Sequence, residues 1–490
     1  MARAVKKNKK LTLEERLEQA LVPMEEQPYQ VPENWCWASI GSVSNLYTGN
    51  SINETIKKKK YYGQLEGLLY IATKDIAFDG TIDYETNIRI NDCEKFKIAP
   101  ANTALLCIEG GSAGRKVGFT NQTVCFVNKL CAFASDKTDP KFIYYYLLSN
   151  SFLDQFNARK HGLIGGVSVN ELSTIPIPLP PLPEQQRIVD RIESLFAKLN
   201  EAKEKAQAVV DGFEDRKAAI LHKAFTGELT SSNNADPIDA VLLTIRAWAT
   251  SFPAKDVRAL ETEQEKASIV RLADGRKWIK CTVGAIGRVT NGSTPSRKCP
   301  DYWNGNIPWV SSGEVRNNII TVTNECITQK GFNNSSVKLL PKGTVLIAMI
   351  GEGKTRGQSA ILEIDATINQ NIAGVVIDHG LVMPDFLWFW FQMNYSKNRE
   401  KGAGSGPQAL NCQRVRELEF ICPSIREQQK IIIILKSLLM KEQQVKEAAE
   451  QVISQIDTMK KSILARAFRG ELGTNDPADE SAVELLKRVL

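Results

Sequence analysis

Histidine is scarce in this chain: His161, His222 and His379 are the only three in 490 residues. The ten cysteines (Cys36, Cys93, Cys107, Cys125, Cys131, Cys281, Cys299, Cys326, Cys412 and Cys422) include no Cys-x-x-Cys pair. The two shortages together leave no zinc-site pattern, and no metal is expected. Unpaired cysteines in a chain of this length suit a reducing compartment, so a cytoplasmic protein is expected. Long apolar runs are also missing. The longest, at 345–350 and 431–435, fall far short of the roughly 20 residues that span a bilayer. Lys6, Lys7, Lys9 and Lys10 have no apolar stretch behind them, so the amino terminus does not read as a secretory signal. No membrane partner is expected.

Charge of one sign is lacking too. Lys+Arg number 62 against 56 Asp+Glu, a formal net charge of +6. That balance permits a nucleic-acid partner but is equally that of an ordinary soluble surface. Hydrophobic content of 43% is enough for several cores, and the length suggests about three to four domains.

Catalytic motifs are absent or incomplete. No Asn/Asp-Pro-Pro-aromatic tetrad is present to grip a base for methyl transfer. Gly-x-Ser-x-Gly is missing, and its nearest approach, 402–406, has glycine in the serine slot and reads as a loop. Glu352 and Lys354 have a nuclease-like Glu-x-Lys spacing without an assignable metal-binding aspartate. Residues 348–355 satisfy a permissive phosphate-loop pattern. The stretch after it, 356–362, reads as a strand instead of the required helix, and the first-half counterpart 107–116 loses the pattern. A Gly/Lys/Arg loop touching DNA phosphate fits these residues better than an ATP site. No catalytic residue and no cofactor are therefore expected on this chain.

What the chain does have is an internal copy of itself. Glu184-Gln185-Gln186-Arg187-Ile188 recurs as Glu427-Gln428-Gln429-Lys430-Ile431. Ala224-Phe225-Thr226-Gly227-Glu228-Leu229 recurs as Ala467-Phe468-Arg469-Gly470-Glu471-Leu472, always 243 residues on. The stretch between each pair of motifs carries apolar residues at alternating steps of four and three, the mark of a coiled coil. In the first copy the seam runs through Ile188, Ile192, Leu195, Leu199, Ala202, Ala206, Val209 and Phe213. In the second it runs through Ile431, Leu435, Leu438, Val445, Ala449, Val452 and Ile456, with Glu442 the one lapse. Pro183 suits the first turn of one helix, Ser424 and Glu427 form a capping-box pattern at the other, and Gly227 and Gly470 mark the stops.

The globular stretches before each helix repeat more loosely. Trp35, Gly41 and Gly49 map onto Trp278, Gly284 and Gly292 at the same offset, while polar loops diverge. Asn121-Gln122 and Asn369-Gln370 recur in both halves and read as a structural turn, since base-reading residues should differ. The expected class is mixed α+β, with two globular domains separated by two long antiparallel coiled-coil helices in a pseudo-two-fold repeat. The expected domains are an N-terminal helical lead-in (1–32), first globular domain (33–180), central long helix (181–230) and helical linker (231–275). A second globular domain (276–423), C-terminal long helix (424–473) and helical tail (474–490) follow. The prolines of 175–183 predict an extended connector.

Over its whole length the chain resembles the specificity subunit of type I restriction-modification enzymes. The residues that carry the resemblance are Pro-Leu-Pro-Pro-Leu-Pro-Glu-Gln-Gln-Arg-Ile at 178–188, Cys-Pro-Ser-Ile-Arg-Glu-Gln-Gln-Lys-Ile at 422–431, the helix ends, and Gly292-Ser293-Thr294-Pro295. The first domain departs from the last motif with Gly49-Asn50-Ser51-Ile52. The resemblance implies two target-recognition domains, each reading half of a split, asymmetric double-stranded DNA sequence. It implies helices that dock two methyltransferase subunits, which recruit motor-nuclease subunits. S-adenosylmethionine, ATP and Mg2+ would then sit on those partners, and the complex would methylate adenine and cleave DNA at the expense of ATP. A coiled-coil adaptor whose globular ends bind protein is the alternative from the heptads alone.

Candidate DNA contacts are polar residues on loops at corresponding places. In the first domain they are Lys57, Lys58, Lys59, Lys60, Tyr61, Lys74, Arg115 and Lys116. In the second they are Arg297, Lys298, Arg316, Asn317, Lys354 and Arg356. Cations supply salt-dependent affinity, while base edges call for Arg, Asn, Gln or hydroxyl geometry. A solvated loop is the alternative for the run 57–60.

Overall fold

The computed structural model describes residues 11–161, 165–231, 238–247, 266–351, 353–400 and 409–490. They form two compact units, 1–207 with 450–490, and 208–449.

The first unit opens with helix α1 (Leu13–Ala20), where Thr12 and Glu15 cap each other's backbone N–H groups. Its strands are β1 (Cys36–Ser39), β2 (Asn45–Thr48), β3 (Leu68–Ile71), β4 (Arg89–Ile90), β5 (Ile98–Ala99), β6 (Thr103–Cys107), β7 (Val117–Thr120), β8 (Val124–Phe126) and β9 (Leu130–Ala134). They form one sheet in the order β2-β9-β6-β7 and another in the order β4-β3-β8-β5. The apolar runs 104–108 and 124–127 form β6 and β8 within a residue or so. Gly49 joins the two sheets: a Cβ there would lie 1.9 Å from the Phe126 carbonyl oxygen, so only glycine fits. Helix α2 (Pro140–Leu147) follows, capped by the Asp139 carboxylate and started by Pro140.

The expected connector at 175–183 is partly a strand. β10 (Pro176–Leu179) pairs antiparallel with β1, and its prolines sit at alternate positions opposite Ser39 and Trp37. Alternation lets the intervening residues carry the ladder bonds that proline cannot make. Helix α3 (Leu182–Asp211) begins directly after, with Pro183 in its first turn.

The second unit repeats this plan. It comprises helices α4 (Phe213–Phe225) and α5 (Ile238–Ala247), then strands β11 (Ser268–Arg271), β12 (Lys277–Thr282), β13 (Arg288–Asn291), β14 (Trp303–Val310), β15 (Asn318–Ile320), β16 (Glu325–Ile327), β17 (Val345–Ala348), β18 (Ser359–Leu362), β19 (Thr367–Ile368) and β20 (Ile372–Val376). Helix α6 (Pro384–Met393), strand β21 (Glu419–Cys422) and the start of helix α7 (Ile425–Ala467) complete it. The sheets are β13-β20-β17-β18-β15, β16-β14-β19 and β11-β12-β21. Gly292 matches Gly49, since its Cβ would fall 1.7 Å from the Ile368 carbonyl oxygen. The expected helical linker is helical over 238–247, but β11 within it pairs with β12, its β-branched Ile269 and Val270 suiting a sheet. Helix α8 (Ala482–Val489) lies within 474–490 and belongs to the first unit.

Within each unit the long helices run antiparallel. In the first, Lys460 lies over Phe196 and donates to Asn200 at 2.6 Å, while Lys203 meets Asp457 at 3.2 Å. In the second, Lys446 lies over Phe213, and Arg216 donates to Glu442 at 2.7 Å. Three expectations about these helices need correction. The first copy is not continuous, because α3 and α4 part at Gly212. There Arg216 donates to the Val209 carbonyl at 2.8 Å and fills the space of the missing side chain, while glycine weakens the helix interior. Secondly, Val445 and Val452 are 50% and 40% exposed, so neither belongs to the seam. Beyond Leu438 the inward face passes instead through Glu442, held by Arg216, and Lys446, then the buried Ala449 and Ile456. A one-residue slip turns a side chain about 100° around the axis. Finally, Ile188, Ile192, Ile431 and Leu435 are buried in the cores of the globular domains more than along a helix seam. Leu195, Leu199, Val209, Phe213 and Leu438 are half-buried.

Candidate nucleic-acid interface

Each domain is gripped by two helix ends. Trp35 donates its indole N–H to Glu184 at 2.7 Å, and Trp278 donates to Glu427 at 3.0 Å. The glutamine that follows each carboxylate ties the helix start to the domain. Gln185 accepts from the Asp139 N–H and donates to the Pro180 carbonyl, and Gln428 accepts from the Met383 N–H and donates to Pro423. The repeated Glu-Gln-Gln is therefore structural. The expected capping box at Ser424 is half made: its hydroxyl accepts from the Glu427 N–H, but the Glu427 side chain turns to Trp278, Arg276 and Thr230.

The helix stops supply the other grip. Phe468 packs edge-on against Phe142 and Tyr146 of α2, at 5.3 and 5.2 Å between ring centres. Phe225 packs the same way on Phe386 and Trp390 of α6, at 4.9 and 5.2 Å. The repeat Pro-Lys-Phe-Ile-Tyr-Tyr-Tyr at 140–146 and Pro-Asp-Phe-Leu-Trp-Phe-Trp at 384–390 escaped the sequence comparison because aromatic residue types interchange.

On this frame the candidate contact residues separate into groups. Lys58 and Lys59 are exposed. Lys57 is paired with Glu54 at 2.6 Å and Lys60 with Asp92 at 2.7 Å. Lys60 and the Tyr61 hydroxyl, which donates to Asp92 at 2.9 Å, hold the Asp92 carboxyl down to about 2. Tyr61 itself is buried, so its ring is scaffold and offers nothing to a base edge. Arg115 and Lys116 gather over the exposed ring of Phe78, 5.5 and 5.1 Å from its centre, and Lys116 also donates to the Thr73 carbonyl beside exposed Lys74. Sequence reasoning missed Phe78, whose exposure was the only signal and is invisible in sequence.

In the second domain Arg297 lies flat on Trp303, 3.7 Å from its centre, and binds both oxygens of Glu325 at 2.5 and 2.8 Å. Lys298, Arg316 and Lys354 are exposed, and Arg316 also donates to the Gly313 carbonyl. Asn317 is half-buried and Arg356 buried, so neither is the fully exposed contact residue expected. Asn317 has a left-handed backbone (φ 56°) and accepts from the Ser359 N–H at 3.0 Å. Asn317 thereby ties the residue before β15 to the start of β18. The Asn369 carboxamide accepts from Asn371 N–H at 3.0 Å, which makes this repeated Asn a turn residue, as expected. Glu352, Lys6, Lys7, Lys9, Lys10 and the 402–406 loop lie outside the described residues. Among the described residues, no helix is long and apolar enough to cross a membrane, and no His/Cys/Asp/Glu cluster could hold a metal ion.

Comparison with known proteins agrees with this twofold plan. The chain is 21% identical over 457 residues to the EcoBI type I restriction enzyme specificity subunit of Escherichia coli, covering 90% of this chain and 87% of that one. It is 30% identical over 180 residues to the MjaIX specificity subunit of Methanocaldococcus jannaschii, a match spanning 36% of this chain and 40% of that protein. Among solved structures, the HsdS subunit from Thermoanaerobacter tengcongensis superposes with a TM-score of 0.58 at 16% identity, covering 91% of this chain and 100% of that one. A chain from a structure of type I R-M complex assembly and conformational transition gives 0.62, also at 16% identity and the same coverage. The family model for the type I restriction modification DNA specificity domain matches twice, at 32–209 and 275–454. With more than half its length so matched, the chain belongs to the type I restriction-modification DNA specificity family, as a subunit that confers specificity and is not itself an enzyme.

Proposed function

We propose that the two globular domains read the two halves of a split, asymmetric double-stranded DNA sequence. The paired helices carry two methyltransferase subunits, through which motor-nuclease subunits join in the cytoplasm. S-adenosylmethionine, ATP and Mg2+ belong to those partners. One observation carries this reading: the two domains share the Trp–Glu and aromatic grips on the helices but present different charged and aromatic surfaces. A common frame with unlike faces suits two readers of unlike half-sites. A helix of 43 residues, the length of α7, measures about 65 Å, close to two turns of DNA, which suits a spacer between half-sites.

The contacts proposed for phosphate are the exposed Lys58, Lys59, Lys74, Lys298, Arg316 and Lys354. The test is a salt titration of DNA binding by the chain assembled with its methyltransferase subunits. With about six to ten phosphates engaged, affinity should fall about 10³- to 10⁵-fold between about 50 and 200 mM salt. Salt-independent binding, or none, would favour a protein-binding adaptor.

A further inference from the structure

The strand that leads each domain's parallel pair begins in the same unusual way. β3 runs parallel to β8 (Tyr70 opposite Cys125) and antiparallel to β4 (Leu68 opposite Ile90). β14 runs parallel to β19 (Trp309 opposite Thr367) and antiparallel to β16, with a register shift between Trp303 and Ile307. At the head of each strand a glycine is pressed against the antiparallel neighbour. A Cβ on Gly67 would lie 2.3 Å from the Ile90 carbonyl oxygen, and one on Gly305 would lie 2.4 Å from that of Ile327. In the first domain the residues before Gly67 form a short loop tip, and in the second Asn304, Gly305 and Asn306 bulge from β14 between Trp303 and Ile307, both of which face Ile327.

Each tip is pinned on its far side as well. In the first domain Tyr61 is buried against Asp92, and Gly63 N–H donates to the Asn87 carbonyl at 2.8 Å. In the second, Trp303 is clamped under Arg297, itself held by Glu325, and its indole donates to the Ser296 carbonyl at 3.3 Å. The side chains that the two tips present differ completely. The first shows Tyr62, 59% exposed, and Leu65, 93% exposed, next to Lys58 and Lys59. The second shows Asn304, in a left-handed backbone (φ 62°), and Asn306, both exposed and close in sequence to Lys298. A mount anchored at a glycine in both domains, with unlike side chains on it, suits a reading element. An apolar side chain recognises the thymine methyl group, and an asparagine amide pairs with the N6 and N7 edge of adenine.

On the reading that these domains bind DNA, we infer that the two tips are its base-reading elements. Leu65, with Tyr62 beside it, contacts a thymine methyl in the first domain's half-site. Asn306, with Asn304 beside it, contacts an adenine edge in the second domain's half-site. The lysines around each tip hold phosphate and carry no letter.

The test maps adenine methylation by single-molecule sequencing in cells carrying the full complex, and measures affinity for the motif so found. Asn306→Ala and Asn306→Ser should each make one adenine of one half-site tolerant of other bases, with discrimination there falling about tenfold. Leu65→Ala should do the same at one thymine of the other half-site. Asn304→Gly, which keeps the left-handed backbone accessible, should weaken the same half-site as the Asn306 variants. The salt dependence of binding should stay at its wild-type slope in all four. Variants that assemble and methylate the wild-type motif with wild-type affinity would overturn the inference, as would relaxation at a guanine or cytosine. A wild-type complex with no sequence motif at all would remove the DNA reading first, a distinct result.

Discussion

Trp278 donates to Glu427 within a buried cluster that also holds the Arg276 guanidinium, whereas its counterpart pair, Trp35 and Glu184, is closed by the neutral side chains of Asn475 and Thr474. The same tryptophan–carboxylate grip is therefore ionic at one domain and held by neutral donors at the other. Asp274 also pairs with Arg276, at 2.5 Å, so Glu427→Gln removes one of its two carboxylate partners and should lower stability by about 1.5–3 kcal/mol. Glu184→Gln keeps an oxygen for Trp35 and strands no contacting cation, so its effect should stay below about 1.5 kcal/mol. Urea unfolding of the full chain distinguishes the two.

The same pair predicts a pH dependence. Burial raises the Glu184 carboxyl above its ordinary value, so the folded state disfavours its ionised form. A carboxyl with a raised folded pKa contributes most below its unfolded value of about 4.3 and loses that contribution as pH rises through the folded value. The stability of Glu184→Gln relative to wild type should therefore increase between pH 4 and pH 8. A constant difference across that range would contradict the assignment.

The aromatic grips should be about equally costly to remove. Phe225 and Phe468 are nearly fully buried at matching places, so Phe225→Ala and Phe468→Ala should each cost about 3–5 kcal/mol. Limited proteolysis should then release the domain served by the altered residue first. Simultaneous loss of both domains from either variant would show that the grips do not act locally.

Salt dependence separates Lys58 and Lys59 from Lys60. Lys58→Ala with Lys59→Ala should reduce the slope of log affinity against log salt by up to about 2, as two phosphate contacts are lost. Lys60→Ala should leave that slope nearly unchanged, because Asp92 already neutralises this ammonium.

How much of this was legible in sequence follows from what each position must satisfy. Glu184 and Glu427, Trp35 and Trp278, and Gly49 and Gly292 each meet a demand that tolerates one residue type, so they recur unchanged and reveal the repeat. The aromatic helices α2 and α6 meet a demand for ring volume alone, which Tyr, Phe and Trp satisfy interchangeably, and their kinship stayed hidden. Val445 and Val452 misled because they are apolar and nearly in register, while the inward positions are the polar Glu442 and Lys446, which only their partners Arg216 and Phe213 explain. Among the candidate contacts, residue type alone did not separate exposed Lys58 from buried Tyr61 or Arg356. That distinction depends on packing partners distant in sequence, such as Asp92, 31 residues from Tyr61.

The most direct measurement exchanges residues 33–180 for the matching domain of a specificity subunit with a different target, then maps adenine methylation across the genome. One half of the recognised sequence should change while the other half and the spacing stay as they were. Methylation with both halves altered, or with the original sequence intact, would contradict the division of reading between two domains.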